Sequence, residues 1–169
     1  MRVLGVDPGT TKMGYGLVAD GPEGPSCLEQ GVLTASARLP VYQRLYRLHQ
    51  ELLGVAARWS PDEVAVEEPF VSIDRGARSA LAVGQAQGVA LLVAAARDLP
   101  VSCYSPAQVK SAVADYGGST KAQVQEMVRL ILGLNEVPQP ADAADALAVA
   151  LCHLRHRRAA ALARGKILP

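Results

Sequence analysis

Two short apolar runs, each closed by an acidic residue, restrict most strongly the folds open to this chain. Arg2–Asp7 and Asp62–Glu67 have the length and apolar content of buried strands. If these strands lie side by side and parallel, Asp7 and Glu67 reach the same edge of one sheet, on strands about 4.8 Å apart. Sites in such sheets form beyond the carboxyl ends of the parallel strands. We therefore expect a carboxylate site at this edge.

The other hydrophobic patterns and turn signals predict the element order β-β-β-α-β-α-β-α-α-α. A strand–helix–strand connection is right-handed and usually leaves its two strands parallel, so the fourth strand can join the first. The order predicts an α/β fold, a five-stranded mixed sheet flanked by helices on both faces. The predicted strands are 2–7, 14–19, 26–34, 62–67 and 101–104, with turns at 8–11 and 20–25, and the predicted helices are about 40–59, 78–97, 106–115, 120–133 and from 141 into the C-terminal end.

The size of the chain suits one domain, and its charge is unevenly distributed. We expect a single domain over 1–169, with a basic C-terminal helix and tail from about 153. The net charge is +1, but five basic and no acidic residues follow Asp145, whereas the preceding part carries 12 basic and 16 acidic residues. The basic end is equally consistent with a phosphate-binding surface and with a solvated helix face.

The cysteines and the apolar runs indicate the compartment. Cys27, Cys103 and Cys152 are odd in number and widely spaced, which argues against a disulfide framework or a zinc site. No apolar run approaches the roughly 20 residues of a membrane span, and no apolar leader follows Met1. We expect a cytoplasmic protein with no membrane partner.

Two further acids, Asp142 and Asp145, stand three residues apart at the start of the last predicted helix, so they share one helix face. Each acid taken singly has a structural explanation, such as a turn, a helix dipole or a strand end. Together with Asp7 and Glu67 they favour a metal site. Four carboxylates without clustered His or Cys suit a hard cation such as Mg²⁺, which Mn²⁺ can replace.

Two lysines are candidates for binding phosphate. Thr120 and Gln123 have the spacing of a capping box, which places Lys121 at the first position of a helix. A cation there opposes the helix dipole, but together with the helix N-terminus it suits an anion. Lys110 is the second candidate. Exposure to solvent is the alternative for both lysines.

The segment after Glu67 and the following helix hold the remaining candidates. Phe70, the only phenylalanine, could stack on bases or sit in the core, and Arg75 and Arg78 are candidate DNA contacts from their charge alone. Gly84 and Gly88 lie four residues apart in a helix, where each costs roughly 0.5–1 kcal/mol relative to alanine. Close approach of another backbone, from the sheet or from a second subunit, would offset that cost.

Six motifs occur in order along nearly the whole chain. They are Gly5–Gly9 with Gly14–Gly16, Ala65–Glu67 with Phe70, Gly84–Gly88, Gln108–Lys110, Lys121 with Gln123–Val124, and Ala141–Ala148. In this combination the chain resembles the RuvC-type Holliday junction resolvases.

The resemblance implies an RNase H-like fold and an endonuclease that cuts four-way DNA junctions with two symmetric nicks, leaving 5′-phosphate and 3′-hydroxyl ends. It also implies a homodimer that packs through the helix of Gly84 and Gly88 and works with a branch-migration helicase complex. The implied residue roles are catalysis and metal binding for Asp7, Glu67, Asp142 and Asp145, phosphate contact for Lys110 and Lys121, and base contact for Phe70. For such a nuclease we expect two ions about 4 Å apart that activate water and stabilise the leaving 3′ oxygen.

Other protein classes share parts of the pattern. Asp7–Thr11 also resembles the first phosphate loop of actin-like ATPases, but 169 residues leave no room for their second lobe. An RNase H-like ribonuclease of the YqgF type shares the first motif but not the segments around Glu67 and Asp142–Asp145. A non-catalytic junction-binding module is the third alternative, and the presence of all four acids argues against it.

Overall fold

The computed structural model describes residues 1–68 and 76–165, and the side chains of 76–79 lie outside this description. Phe70, Arg75 and the side chain of Arg78 are therefore outside the described part. The strands are β1 Arg2–Asp7, β2 Lys12–Gly21, β3 Gly24–Thr34, β4 Glu63–Glu67 and β5 Val101–Tyr104, and the helices are α1 Val41–Trp59, α2 Gly76–Ala95, α3 Pro106–Ala114, α4 Lys121–Ile131 and α5 Ala141–Ala163.

The strands form one mixed sheet in the order β3-β2-β1-β4-β5. β2 is antiparallel to β1 and to β3, whereas β4 is parallel to β1 and to β5. Val6 pairs with Val66, and Glu67 pairs with Tyr104. The predicted five-stranded mixed sheet is confirmed, and its register brings the ends of β1 and β4 to the same edge.

Helices cover both faces of the sheet, as predicted. Leu4 and Val6 of β1 belong to a core that buries the inner sides of α1 and α2. Val3, on the opposite side of the same strand, belongs to a second core built with α3, α4 and α5. This division follows from the alternation of side chains along a strand.

The backbone of α5 lies directly on glycines of the two central strands. A Cβ atom on Gly5 would overlap the carbonyl oxygen of Ala146, and one on Gly14 would overlap that of Asp142. A Cβ on Gly16 would overlap the side chain of Leu147. These strand positions therefore need glycine, because any side chain would lift α5 away from the sheet.

Several predicted boundaries differ from the observed ones by about two residues, most clearly at the turn between β2 and β3 and at the end of α2. Asp20 pairs with Pro25 and Gly21 with Gly24, so the strands continue into the predicted turn and leave only two residues to reverse the chain. Gly24 has a φ of +111°, a conformation that glycine tolerates without strain. Helix α2 ends at Ala95, before the predicted 97, because Leu99 N–H closes on the Ala94 carbonyl and Asp98 is left-handed.

The basic half of α5 is paired within the chain. Arg155 contacts Asp115 at 2.5 Å and Arg158 contacts Asp20 at 2.5 Å. Arg157 pairs with Glu63, where β4 begins. These contacts favour a structural role for the three arginines over the phosphate-binding surface that their charge alone allowed. Within the described parts of the chain, none of the helices combines the length and hydropathy that a membrane span requires.

A buried histidine on α5, not predicted from the sequence, strengthens this anchoring. His153 is 2% exposed and its Nε2 lies 2.7 Å from the Glu63 carboxylate, while the Tyr104 hydroxyl lies 2.8 Å from its Nδ1. Burial and the nearby His156 lower the pKa of His153, which favours the neutral ring. A neutral ring that donates from Nε2 to the carboxylate and accepts at Nδ1 from the hydroxyl satisfies both contacts.

The close packing of α5 on the glycines of β1 and β2 leads to a stability prediction. Gly14→Ala should lower the free energy of unfolding by about 2 kcal/mol or more, because the added Cβ overlaps backbone that can move only with α5. Gly54→Ala on α1 is the matched control. A Cβ there meets nothing within 4 Å, so it should stabilise by roughly 0.5–1 kcal/mol. Urea denaturation measures both changes, and equal effects would contradict the close packing of α5.

Candidate active site

The four predicted acids come from three elements that meet at one edge of the sheet. Asp7 ends β1, Glu67 ends β4, and Asp142 and Asp145 lie in the first two turns of α5. Because α5 rests on Gly14, the backbone of Asp142 lies against β2 beside the end of β1. The fold therefore brings the four acids together, as the sequence predicted.

Three of these acids, Asp7, Glu67 and Asp145, line an open cavity of about 860 Å³, which Asp142 does not line. Its walls include residues of α2, α3 and α4 as well as the sheet edge. Lys110 and Lys121 are among them. Both lysines predicted as phosphate contacts therefore face the same cavity as the acids.

Burial and the neighbouring acids destabilise the charged forms of Asp7 and Glu67. Burial, and then the nearby Glu67, Asp145 and Asp142, raise the pKa of Asp7 to about 8, against the opposing effect of Lys121. Burial and then Asp145 raise the pKa of Glu67 to about 7, while Lys121 and Lys110 oppose that rise. Near neutral pH, the nearby positive charges therefore do not balance the negative charges of the carboxylates.

The donor set fits a hard divalent cation, because it consists of carboxylate oxygens whose charges repel one another. Within 1–68 and 76–165, however, no three acidic, His or Cys side chains already converge on a single point. One of these acids already has a cationic partner, since the Lys121 ammonium donates to Oδ2 of Asp145 at 2.5 Å. Binding an ion would require these side chains to reorient on a backbone that already places them together.

The position of Lys121 was predicted correctly, and the structure adds an ion pair with Asp145 that the sequence did not indicate. Thr120 and Gln123 form both hydrogen bonds of the capping box, which fixes Lys121 as the first residue of α4. The side chain is 60% exposed, yet its ammonium pairs with Asp145. The acids Asp145, Asp7 and Asp142 together raise the pKa of Lys121, so the lysine stays charged. Solvent exposure alone, the alternative left open for this lysine, therefore does not describe its environment.

Sequence reasoning missed two parts of the cavity wall. Ser105 caps α3 in a second complete capping box, with Gln108 as its partner, so the start of α3 faces the cavity. The serine, three residues before a glutamine, has the same pattern that located Thr120, and could have been found in the same way. Glu68 is the other addition, a fifth acid whose backbone N–H donates to the Tyr104 carbonyl at 2.8 Å.

The two glycines of α2 face away from the protein's own sheet. Among the described residues, a Cβ on Gly84 or on Gly88 would meet nothing within 4 Å. Packing against the sheet, one of the two explanations for these glycines, is therefore wrong. Phe70, Arg75 and Arg78 lie outside the described residues or side chains, so their predicted DNA contacts stay predictions.

Comparison with known proteins identifies the family. The family model described as "Crossover junction endodeoxyribonuclease RuvC" matches residues 3–153. The chain belongs to the RuvC family. The crossover junction endodeoxyribonuclease RuvC of Thermomicrobium roseum is 52% identical over 164 residues, covering 97% of this chain and 99% of that protein. The RuvC of Dehalococcoides mccartyi is 52% identical over 157 residues, covering 93% of this chain and 94% of that protein.

A solved RuvC structure extends the likeness to three dimensions. The structure of T. thermophilus RuvC in complex with a Holliday junction substrate superposes with a TM-score of 0.88 at 42% identity, covering 95% of this chain and 96% of that one. The RNase H-like fold, the membership of the resolvase family and the nuclease class are thereby confirmed. The RuvC family comprises metal-dependent nucleases, whereas the identity of the metal stays a prediction.

The buried carboxyl of Asp7 leads to a prediction about the stability of this protein without metal. The pKa of this carboxyl is about 8 in the fold against 3.8 as its ordinary value, so folding favours the protonated form and stability is lost as pH rises from about 4 to about 8. Asp7→Asn removes this loss. In EDTA, its gain in unfolding free energy over the wild type should be larger at pH 8 than at pH 5, by on the order of 3 kcal/mol.

Glu136→Gln is the control for this measurement, because Glu136 is an exposed acid and the four acids are not. Chemical denaturation at the two pH values should give the control the same pH dependence as the wild type. If Asp7→Asn also keeps the wild-type dependence, Asp7 carries no buried charge penalty.

Proposed function

We propose that this chain is a structure-specific endonuclease that resolves Holliday junctions in recombination and DNA repair. The observation that carries the proposal is the meeting of Asp7, Glu67, Asp142 and Asp145 at the sheet edge of a RuvC-family fold. A relative whose structure superposes on nearly the whole chain was solved with a Holliday junction substrate, which supports the choice of substrate.

The four acids would hold Mg²⁺, two ions in each site, and Mn²⁺ could replace it. Bound ions supply the activation of water and the stabilisation of the leaving oxygen. Asp7 occupies the most strongly coupled position, because Glu67, Asp142 and Asp145 all raise its pKa. We assign it the central role among the ligands.

The lysines and the reaction products complete this mechanism. Lys110 and Lys121 would attract the scissile phosphate into the cavity, since a phosphate brings the negative charge that both can pair with. Hydrolysis adds hydroxide from water to phosphorus, breaks the bond to the 3′ oxygen and passes a proton to that oxygen. The products are a 5′-phosphate and a 3′-hydroxyl, which a ligase can rejoin.

The substrate has two equivalent strands to cut, so we infer a homodimer with one carboxylate cluster in each chain. Helix α2 supports this inference, because Gly84 and Gly88 leave its outer face open. Leu81 and Leu92 lie on the same face, with 66% and 62% of their surfaces exposed. A second copy of this helix would cover both the leucines and the costly glycines.

Three parts of the proposal rest on the resemblance or on composition. Phe70 would meet bases near the crossover, with Arg75 and Arg78 contacting the backbone. A branch-migration helicase complex would deliver the junction. We also propose a cytoplasmic location, because Cys27, Cys103 and Cys152 are odd in number and widely spaced in the sequence.

The catalytic assignment predicts a separation of binding from cleavage. Asp7→Asn should lower the rate of junction cleavage by about 10³-fold or more in Mg²⁺, because it removes a central metal ligand. Junction affinity should change little, because binding depends mainly on phosphate contacts. Cleavage of labelled four-way junction, duplex and structured RNA, together with gel-shift binding, measures both properties.

Glu136→Gln serves again as the control and should cut at the wild-type rate. Wild-type cleavage by Asp7→Asn would remove Asp7 from the mechanism. Preferential cleavage of RNA by the unmodified protein would favour the ribonuclease alternative, and junction binding without any cleavage would favour the non-catalytic module.

The dimer predicts a selective effect at Gly88. Gly88→Leu should shift sedimentation from dimer to monomer and uncouple the two nicks. Circular dichroism should stay that of the wild type, because no described residue of the same chain lies within 4 Å of a Cβ at this position. Gly54→Leu on α1 is the matched control, since a Cβ there also meets nothing. A dimer unaffected by Gly88→Leu would place the interface elsewhere.

A further inference from the structure

The contact between Lys121 and Asp145 joins two residues that the proposed function uses for different partners. Asp145 is a proposed metal ligand, whereas Lys121 is a proposed phosphate contact. In the structure they bind each other, with 2.5 Å between Nζ and Oδ2. The lysine therefore occupies one oxygen of a carboxylate that an ion would also use.

The surroundings of Lys121 make this pairing favourable. The first turn of a helix carries partial positive charge, so a lysine at its first position is repelled unless an anion lies nearby. The capping box at Thr120 fixes the backbone there, and the ammonium stands on a flexible four-carbon stem. The ammonium can thus change partners without any movement of α4.

The pairing also benefits the acids. The positive charge of Lys121 counteracts the rise in the pKa of both Asp7 and Glu67. Lys110 opposes the rise only for Glu67. Of these two cavity lysines, Lys121 is therefore the one coupled to the cluster as a whole.

We propose that Lys121 is the resident counter-ion of the carboxylate cluster, which a divalent cation displaces from Asp145 and so releases toward the scissile phosphate. A cation and an ammonium on one carboxylate repel each other, so the two compete for Asp145. Metal binding then has two effects, because it gathers the acids and makes the lysine available to an anion. This inference rests on the proposed metal site.

Competition predicts that removing the lysine strengthens metal binding. Titration calorimetry with MnCl₂ and with MgCl₂, in the absence of DNA, should give Lys121→Met a dissociation constant about tenfold lower than that of the wild type. Lys121→Arg keeps the charge and should stay within about twofold of the wild type. Lys110→Met is the matched control, since it removes one charge from the same cavity without freeing Asp145, and should lower the constant by no more than about twofold.

A second measurement uses the wild-type protein, so its result does not depend on whether a variant folds. The ammonium signal of Lys121 in ¹⁵N-lysine spectra should be visible in EDTA, because an ion-paired ammonium exchanges its protons slowly. Titration with MgCl₂ should shift or broaden it with the same midpoint as the calorimetric binding.

The results test the counter-ion role of Lys121 separately from the proposed metal site. Metal binding by the wild type, with unchanged affinity in Lys121→Met or with an unmoved ammonium signal at saturation, would overturn the counter-ion role alone. Equal strengthening by Lys110→Met and Lys121→Met would also overturn it, since only bulk charge would then matter. No metal binding by the wild type would overturn the metal site itself.

Discussion

The direct contact between the backbone of α5 and the glycines of β1 and β2 is the constraint on which the active site depends. A helix normally stands away from a sheet by the thickness of the side chains between them. Here Gly5, Gly14 and Gly16 remove that layer, and the small residues of α5 from Ala143 onward fill the remaining space. The first turns of α5 consequently reach the end of β1, and two of the four acids come with them.

Helix α5 carries unfavourable charge interactions near its N-terminal end and favourable contacts toward its C-terminal end. Near its start, burial and the neighbouring acids raise the pKa of Asp7 and of Glu67, which costs stability in the absence of a cation. Farther along, His153 and Arg157 both bind Glu63, and Arg158 binds Asp20. Glu63 begins β4 and Glu67 ends it. The contacts that hold α5 and the acids that repel one another therefore involve the same strand. The basic charge after Asp145, which the sequence left open as a phosphate surface, is thus largely used to hold α5 in place.

Features with a local signal could be predicted from the sequence, and features made by distant contacts could not. The strand ends at Asp7 and Glu67, the spacing of Asp142 and Asp145 and the capping box at Thr120 all depend on neighbouring residues and were predicted correctly. The partners of Lys121 and His153 come from segments 24 and 90 residues away, and no spacing rule indicates which carboxylate each will meet. The open face at Gly84 and Gly88 was likewise undecided, because a glycine pair has the same sequence pattern whether its helix packs on a sheet or faces outward.

The glycines of this chain therefore have two opposite environments with different consequences. Those of β1 and β2 are covered by α5, so close packing within one chain compensates for the missing side chains. Those of α2 have no such cover within the described residues, although a helical glycine costs roughly 0.5–1 kcal/mol. A partner helix would provide the compensation, and Ala80 and Val83 of α2 also line the active-site cavity. If two copies of α2 pack together, the helix that forms the interface also forms part of each cavity wall. The interface would then fix the separation and orientation of the two carboxylate clusters with respect to one junction.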